Sequence, residues 1–267
     1  MNRITDCFKN LKAQKRAALI PFITAGDPNF ELTVPLMHAL VAAGANIIEL
    51  GIPFSDPMAD GPVIQRASER ALAAGTHLKH VLAMVKRFRQ QDQTTPVVLM
   101  GYFNPIELMG YVAFAQAAQD NGVDGVLIVD LPPEEMTELA TLLRSHDIAS
   151  IFLVAPTTTN ERIERICAQA EGYVYYVSLK GVTGSHNLDI EAVEQKITQI
   201  RHYTQLPIGV GFGIRDAQTA RQMAHISDAV IVGSALVKHI ETTPQDQLLD
   251  VLPAFLHELH LAMNNKQ

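Results

Sequence analysis

Two carboxylic acids within residues 47–61 have the types and the spacing of an acid–base pair. Glu49 stands between Ile48 and Leu50 in an apolar run, and Asp60 lies in the loop that follows. Removing a carboxylate from water is costly, so we expect Glu49 to have a raised pKa and to carry a proton near neutral pH. The alternative is structural: Glu49 would pair with a lysine or arginine at a strand end, and Asp60 would cap a helix.

Glycines in the last third of the chain predict a site for an anion. Gly211, Gly213 and Gly233 would let backbone N–H groups turn towards a phosphate, and Ser234 precedes a short predicted helix over residues 235–240. The N-terminus of a helix favours negative charge. The alternative is that these glycines only form tight turns between strands and helices.

Residues 178–189 combine Gly181 and Gly184 with several polar side chains. We expect this segment to be a lid that closes over a substrate and excludes water. Lys180 and His186 within it could contact phosphate, but the simpler interpretation is that both are solvated loop residues without a catalytic role.

Composition excludes several classes of function. The chain has 267 residues, 48% of them hydrophobic, and a net charge of -7 with no basic block, so a nucleic-acid partner is not expected. No apolar run is long enough to span a bilayer. Cys7 and Cys167 are too few and too far apart for a disulfide framework, which favours a cytoplasmic protein. No cluster has metal-ligand spacing.

Eight apolar runs must position the candidate residues. Continuous rather than alternating hydrophobicity is typical of strands that are buried on both faces of a parallel sheet. Amphipathic segments separate the runs, and residues 5–15 predict a short surface helix before the first run. The runs cover residues 17–23, 47–52, 97–100, 126–129, 151–154, 174–177, 208–212 and 229–232.

This alternation predicts an α/β fold, a single (β/α)8 TIM barrel over residues 1–267 with an extra N-terminal helix and a short extra helix after strand 8. An open doubly wound sheet is the alternative. We favour the barrel because every run is too apolar to form a sheet edge. In such a barrel the active site lies at the carboxyl ends of the strands, where Glu49, Asp60 and the glycines fall.

Five segments at these strand ends and loops form a recognisable pattern: residues 21–28, residues 49–57 continuing through 59–62, Gly101-Tyr102 with Asn104-Pro105, residues 181–184, and residues 211–214 with 233–235. In these segments the chain resembles the tryptophan synthase alpha subunit family, and the resemblance covers nearly the whole length. It implies a carbon–carbon lyase that cleaves indole-3-glycerol phosphate to indole and glyceraldehyde 3-phosphate by a retro-aldol reaction, late in tryptophan biosynthesis.

The resemblance also implies roles for single residues. Glu49 would be the acid–base group, Asp60 the partner of the indole N–H, and Tyr175 a supporting hydroxyl. Thr183 on the lid would meet Asp60 when the lid closes. The indole slot would be lined by apolar side chains of Phe22, Met100, Val129 and Phe212. The phosphate would be bound by Gly184, Gly213, Gly233 and Ser234.

The family works as an α2β2 complex in which indole passes to a beta subunit. Pyridoxal phosphate would belong to that beta subunit, so no cofactor is expected in this chain. The contact surface would consist of residues 53–60, 104–105 and 132–133.

Two rival functions remain. One is another phosphate-binding barrel enzyme, such as an indole-3-glycerol phosphate synthase or a sugar-phosphate isomerase. The synthase would place lysines at inner strand ends, where this chain has apolar or acidic residues. The other is a non-catalytic barrel that binds and activates a partner, which would not need the pair of Glu49 and Asp60.

Overall fold

The computed structural model describes residues 2–178, 189–211 and 213–265, and eight strands of these residues form a closed parallel barrel. The strands are β1 Ala18–Thr24, β2 Ile48–Gly51, β3 Val97–Gly101, β4 Gly125–Ile128, β5 Ala149–Val154, β6 Val174–Val177, β7 Ile208–Gly211 and β8 Ala229–Val232. Each strand pairs with the next along the chain, and β8 closes the barrel on β1.

Helices of the described residues surround the barrel. They are α1 Arg3–Ala13, α2 Phe30–Ala42, α3 Pro62–Ala73, α4 Leu78–Arg89, α5 Phe103–Met109, α6 Tyr111–Asn121, α7 Thr137–Ser145, α8 Asn160–Gln169, α9 Ile190–Arg201, α10 Ala217–Ile226, α11 Ser234–Thr242 and α12 Leu248–Asn264. A 3-10 helix, Gln245–Gln247, precedes α12. Within the described part of the chain, every helix is too short or too polar to span a membrane.

The barrel and its eight predicted strands are confirmed, and the open sheet is excluded. The strands are apolar throughout because both of their faces are buried. Side chains such as Ile20 and Ile231 fill the barrel interior, whereas neighbours such as Leu19 and Val230 pack against the helices. This alternation follows the two-residue period of a strand.

The predicted surface helix at the N-terminus has a different role. Its apolar stripe is buried, and Ile4, Phe8 and Leu11 pack into the interior cluster of the barrel. The side-chain amide of Asn2 donates a hydrogen bond of 2.8 Å to the carbonyl of Asp124, just before β4. Helix α1 therefore closes the barrel at the N-terminal ends of its strands, where apolar interior side chains would otherwise meet water.

The segment after β3 is helical sooner than the sequence indicates. Asn104 and Pro105 lie on α5, which begins at Phe103, and α6 follows it. After β8, the short extra helix is confirmed as α11. The candidate residues of the described chain thus lie at one end of the barrel, on strands or in the loops that follow them, and involve β1, β2, β3, β4, β6, β7 and β8.

Candidate active site

Glu49 lies on β2 with its side chain inside the barrel, and it is 0% exposed. Oε1 accepts a hydrogen bond of 2.5 Å from the hydroxyl of Tyr173, and Oε2 has no hydrogen-bond partner among the described residues. Burial raises the pKa of Glu49 to about 7, although the hydrogen bond from Tyr173 opposes this rise. No lysine or arginine of the described residues pairs with Glu49, so the structural alternative does not explain it.

Asp60 lies near the end of the loop after β2, two residues before α3 begins. Its side-chain Oδ2 accepts a hydrogen bond of 2.9 Å from the hydroxyl of Tyr102. Burial raises the pKa of Asp60, and the hydrogen bond from Tyr102 opposes that rise. The residue that caps α3 is Gly61, without a side-chain hydrogen bond, so Asp60 is not a helix cap.

The two carboxylic acids line one cavity of about 80 Å³, which also contains Tyr175. The cavity has apolar walls and one end that is rich in glycine. The other lining residues are Phe22, Gly61, Ile64, Met100, Gly213, Ile214, Ile231, Gly233 and Ser234. The site therefore joins two acids, an apolar slot and the predicted anion cradle, which is the combination that an aromatic phosphate ester requires.

A neighbouring cavity of about 540 Å³ shares Asp60, Met100 and Tyr175 with the first and is lined by Val129. The second cavity extends from the two acids to the loops after β4 and β5. A wider groove of about 690 Å³ lies at the opposite end of the barrel, beside α1. It holds none of the predicted site residues.

The anion end of the cavity is built from backbone. Gly233 is the N-cap residue of α11, and no side-chain hydrogen bond caps this helix. Gly213 has a φ of 79°, a left-handed conformation that favours glycine. First-turn N–H groups at a helix N-terminus attract phosphate through their partial positive charge.

Tyr175 points inwards from β6 and is packed closely against β7. A Cβ atom on Gly211 would lie 2.0 Å from the Tyr175 hydroxyl, so this approach requires glycine. Burial, followed by the charge of Glu49, raises the pKa of Tyr175 well above its usual value. The hydroxyl therefore stays protonated as a hydrogen-bond donor.

The described residues bring together most of the predicted site. Phe22, Met100, Gly213, Gly233 and Ser234 share the cavity of Glu49, and Val129 lines the neighbouring one. The remaining predicted residues lie outside the described residues: Thr183, Gly184 and Phe212, together with Lys180 and His186 of the predicted lid.

Two tyrosines at the site were not predicted. Tyr173 precedes β6 by one residue and faces inwards two positions before Tyr175, so strand alternation contained a signal for it. Tyr102 directly follows β3, at the end of the barrel that carries the chemistry. Neither tyrosine stands out in the sequence as Glu49 does, because Glu49 is a charged residue in an apolar run.

Metal and thiol chemistry have no visible site in the part of the chain that is described. No group of three histidine, cysteine, aspartate or glutamate side chains could bind a metal ion there. Cys7 and Cys167 are free thiols, and burial raises the pKa of each to about 11. Neither is an activated nucleophile.

Comparison with known proteins agrees with this geometry. The family model described as "Tryptophan synthase alpha chain" matches residues 8–261. The tryptophan synthase alpha chain of Nitrosococcus oceani is 62% identical over 241 residues, which is 90% of this chain and 89% of that one. The alpha chain of Thioalkalivibrio sulfidiphilus is 59% identical over 266 residues, covering 99% and 100% of the two chains.

Solved structures show the same fold. The crystal structure of tryptophan synthase subunit alpha from Legionella pneumophila superposes with a TM-score of 0.93 and 47% identity, covering 100% of both chains. A chain of tryptophan synthase from Mycobacterium tuberculosis gives a TM-score of 0.90 with 35% identity and 99% coverage of each chain.

Proposed function

Because this chain belongs to the tryptophan synthase alpha-chain family, we propose that Glu49, Asp60 and Tyr175 perform that family's reaction. The reaction is the retro-aldol cleavage of indole-3-glycerol phosphate to indole and glyceraldehyde 3-phosphate, so the chain is a carbon–carbon lyase. The single observation that supports these assignments best is the buried Glu49 carboxyl, with a pKa of about 7 and one oxygen that has no partner in the described part of the chain.

Glu49 is the acid–base group. Its proton goes to indole C3, which turns the ring into a leaving group that accepts the electron pair of the breaking carbon–carbon bond. The resulting carboxylate takes the proton of the glycerol hydroxyl as the aldehyde forms, and this restores the starting state of Glu49. A carboxyl group with a pKa near 7 is suited to both transfers.

Asp60 stabilises the cation that protonation creates. Its carboxylate accepts the indole N–H and lies close to the positive charge that develops on the ring. The hydroxyl of Tyr175 supports the reacting groups from β6. Together these residues account for the reaction without a metal or an electron sink, which supports the proposal that this chain needs no cofactor of its own.

Substrate binding uses the two ends of the cavity. The N-terminus of α11, with Gly213, Gly233 and Ser234, binds the phosphate. The indole ring lies against Phe22 and Met100, with Val129 on the side of the neighbouring cavity. Thr183, Gly184 and Phe212 complete the lid and the slot in this proposal, on the strength of the sequence alone.

The rival functions receive less support. Of the described residues, those that line the two cavities at the carboxyl ends include no lysine, whereas an indole-3-glycerol phosphate synthase would place lysines there. A barrel that only activates a partner has no need to keep Glu49 buried without a charged partner. A buried unpaired carboxyl destabilises a fold, so its presence favours catalysis.

The family implies a beta subunit as partner, and we place this chain in an α2β2 complex in the cytoplasm. Residues 53–60, 104–105 and 132–133 form the contact surface in this proposal. Met58 is 83% exposed and Leu108, on the helix that carries Pro105, is 87% exposed. Exposed large apolar side chains on the loop after β2 and on the helix after β3 are suited to burial by a partner. Pyridoxal phosphate belongs to the beta subunit.

Isotope transfer tests whether indole C3 is protonated, and the variant Glu49→Gln tests whether Glu49 supplies that proton. The chain and its beta subunit, without serine, are incubated with indole-3-glycerol phosphate in D₂O, and the indole is analysed by mass spectrometry and NMR. We expect one deuterium at C3, because the transferred proton comes from exchangeable groups. Glu49→Gln should fold, retain phosphate affinity and release no indole above a protein-free blank. Substantial turnover by Glu49→Gln would assign the acid to another residue.

A further inference from the structure

We propose that Tyr102 is a positioning residue that holds the Asp60 carboxylate in place for the substrate, an inference that rests on the proposed role of Asp60. The Tyr102 hydroxyl donates a hydrogen bond of 2.9 Å to Oδ2 of Asp60. The hydroxyl oxygen of Tyr102 also accepts a hydrogen bond of 3.0 Å from the backbone N–H of Ala59. One hydroxyl thus binds the side chain of Asp60 and the backbone of the preceding residue.

Tyr102 itself is fixed before any substrate arrives. It is 3% exposed and directly follows β3, so its backbone belongs to the rigid barrel. Its ring stacks on Phe54, with centroids 5.2 Å apart and an interplanar angle of 26°. The next residue, Phe103, donates its backbone N–H to Oδ1 of Asp130 at 2.8 Å. The hydroxyl therefore occupies one position.

The backbone of Asp60 is held independently. Its N–H donates to the carbonyl of Pro57 at 3.0 Å, and its carbonyl accepts from the side-chain amide of Gln65 at 2.8 Å. Rotation of the side chain is the freedom that remains, and the bond from Tyr102 removes it. Among the described residues, Oδ1 of Asp60 accepts no hydrogen bond, so this oxygen is available for the indole N–H.

The hydrogen bond has an electrostatic effect as well. Burial favours the neutral form of Asp60, which accepts the indole N–H less strongly and cannot stabilise a cation. A donor that faces the carboxylate favours the ionised form and lowers its pKa. Burial, with the charge of Asp60 next, raises the pKa of Tyr102 well above its usual value, so the hydroxyl remains a donor.

Tyr102→Phe tests this role, because it keeps the stacked ring and removes the hydroxyl. Assayed with the beta subunit, kcat for indole release should fall by about tenfold to a hundredfold, the effect of one hydrogen bond to a charged group. KM should change by less than about threefold, since the phosphate end is untouched. The acidic limb of the pH profile should move to higher pH, because the pKa of Asp60 rises.

The matched control is Tyr203→Phe. Tyr203 lies between α9 and β7, at the other end of the barrel, and we expect its variant to retain the kcat, KM and pH profile of the unaltered chain. Phe54→Leu is a second variant that loosens the ring of Tyr102 but keeps both hydrogen bonds. It should lower kcat in the same direction by a smaller factor.

A double-mutant cycle separates this inference from the proposed function. In an Asp60→Asn background, Tyr102→Phe should reduce the rate further by less than about twofold, because its effect passes through Asp60. Fully additive losses, or an unchanged pH limb, would show a merely structural role and overturn the inference. Normal activity of Asp60→Asn would overturn the proposed role of Asp60, on which this inference rests. Impaired Asp60→Asn with normal Tyr102→Phe would overturn only the role of Tyr102.

Discussion

The hydroxyl of Tyr173 and the carboxyl of Glu49 form a hydrogen bond of 2.5 Å inside the barrel. Tyr173 and Glu49 are both 0% exposed, so water does not compete for this bond. The contact uses Oε1 alone, and within the described ranges Oε2 accepts no hydrogen bond. Tyr173 therefore fixes one oxygen of the carboxyl group and leaves the other for the substrate.

Tyr173→Phe should make Glu49 a weaker acid. The hydrogen bond stabilises the carboxylate, so removing it raises the pKa of Glu49 above about 7. Glu49 acts in its protonated form, and activity of the unaltered chain should fall as pH rises through about 7. In the variant, the basic limb of kcat/KM should move up by about one pH unit. A basic limb at the same pH in both proteins would contradict this.

Glu49→Gln should stabilise the chain more at pH 8 than at pH 5. A carboxyl group whose pKa is raised on folding contributes its stability fully below the unfolded pKa and loses it as pH rises through the folded pKa. A rise from 4.5 to about 7 corresponds to about 3 kcal/mol. Urea unfolding at both pH values measures the difference, and glutamine, which never ionises, avoids the loss.

The exposed Glu138 on α7 offers a matched control for that measurement. Glu138→Gln should change the free energy of unfolding by less than about 0.5 kcal/mol at either pH, as is usual for surface positions. Equal effects of the two substitutions at pH 8 would show that burial of Glu49 does not determine the pH dependence.

Asp60→Asn should lower kcat by about a hundredfold to a thousandfold, because it removes a preorganised electrostatic group. The amide keeps the shape of the side chain and can still accept a hydrogen bond from Tyr102. Inhibition by glyceraldehyde 3-phosphate reports phosphate binding and should be unchanged. Rates within about threefold of the unaltered chain would exclude Asp60 from the mechanism.

Gly213→Ala should weaken substrate binding more than it slows chemistry. The φ of 79° at Gly213 strains an L-residue by roughly 1 kcal/mol, and relaxation of that strain would turn the cradle away from phosphate. We expect KM to rise by about tenfold, because phosphate contacts are equal in the ground and transition states.

Gly75→Ala is the control for this strain. Gly75 has a φ of 82°, and open space surrounds the position of its Cβ atom, between α3 and α4. It should lose similar stability in thermal unfolding with no change in KM. A normal KM in Gly213→Ala would separate this glycine from the phosphate site.

Leu108→Lys should weaken binding of the beta subunit. Leu108 is 87% exposed and lies one helical turn after Pro105 of the proposed contact surface. A buried lysine without a partner is unfavourable, so the affinity measured by calorimetry should fall at least about tenfold. Leu261→Lys, on α12 and 48% exposed, is the matched control and should leave the affinity unchanged.

Much of the barrel could be predicted because its strands are buried on both faces. The run over residues 174–177 and the run over residues 229–232 match β6 and β8 at both ends. Strand ends elsewhere differ by one or two residues, since hydrogen bonding and not hydrophobicity determines where a strand stops. Residues 5–15 were misjudged as a surface helix because a narrow apolar stripe does not reveal what it packs against.

The acid pair could be predicted, whereas its supports could not. Glu49 is conspicuous as a charge in an apolar run. Tyr173 and Tyr102 are amphipathic side chains that are common in strands and at strand ends, so their types reveal no partner. Their hydroxyls reach the two carboxyl groups only in the folded barrel. There Tyr173 meets Glu49 across the interior, and the loop after β2 brings Asp60 to Tyr102.

Helix α1 is linked to the active site through the interior of the barrel. The ring of Phe8 lies 5.8 Å from that of Tyr173, which in turn touches the acid. Two aromatic rings thus connect α1, at the N-terminal end of the barrel, with the carboxyl group of Glu49 that transfers the proton. A substitution that loosens the packing of Phe8 would therefore reach the hydrogen bond between Tyr173 and Glu49, although Phe8 lies outside the active site.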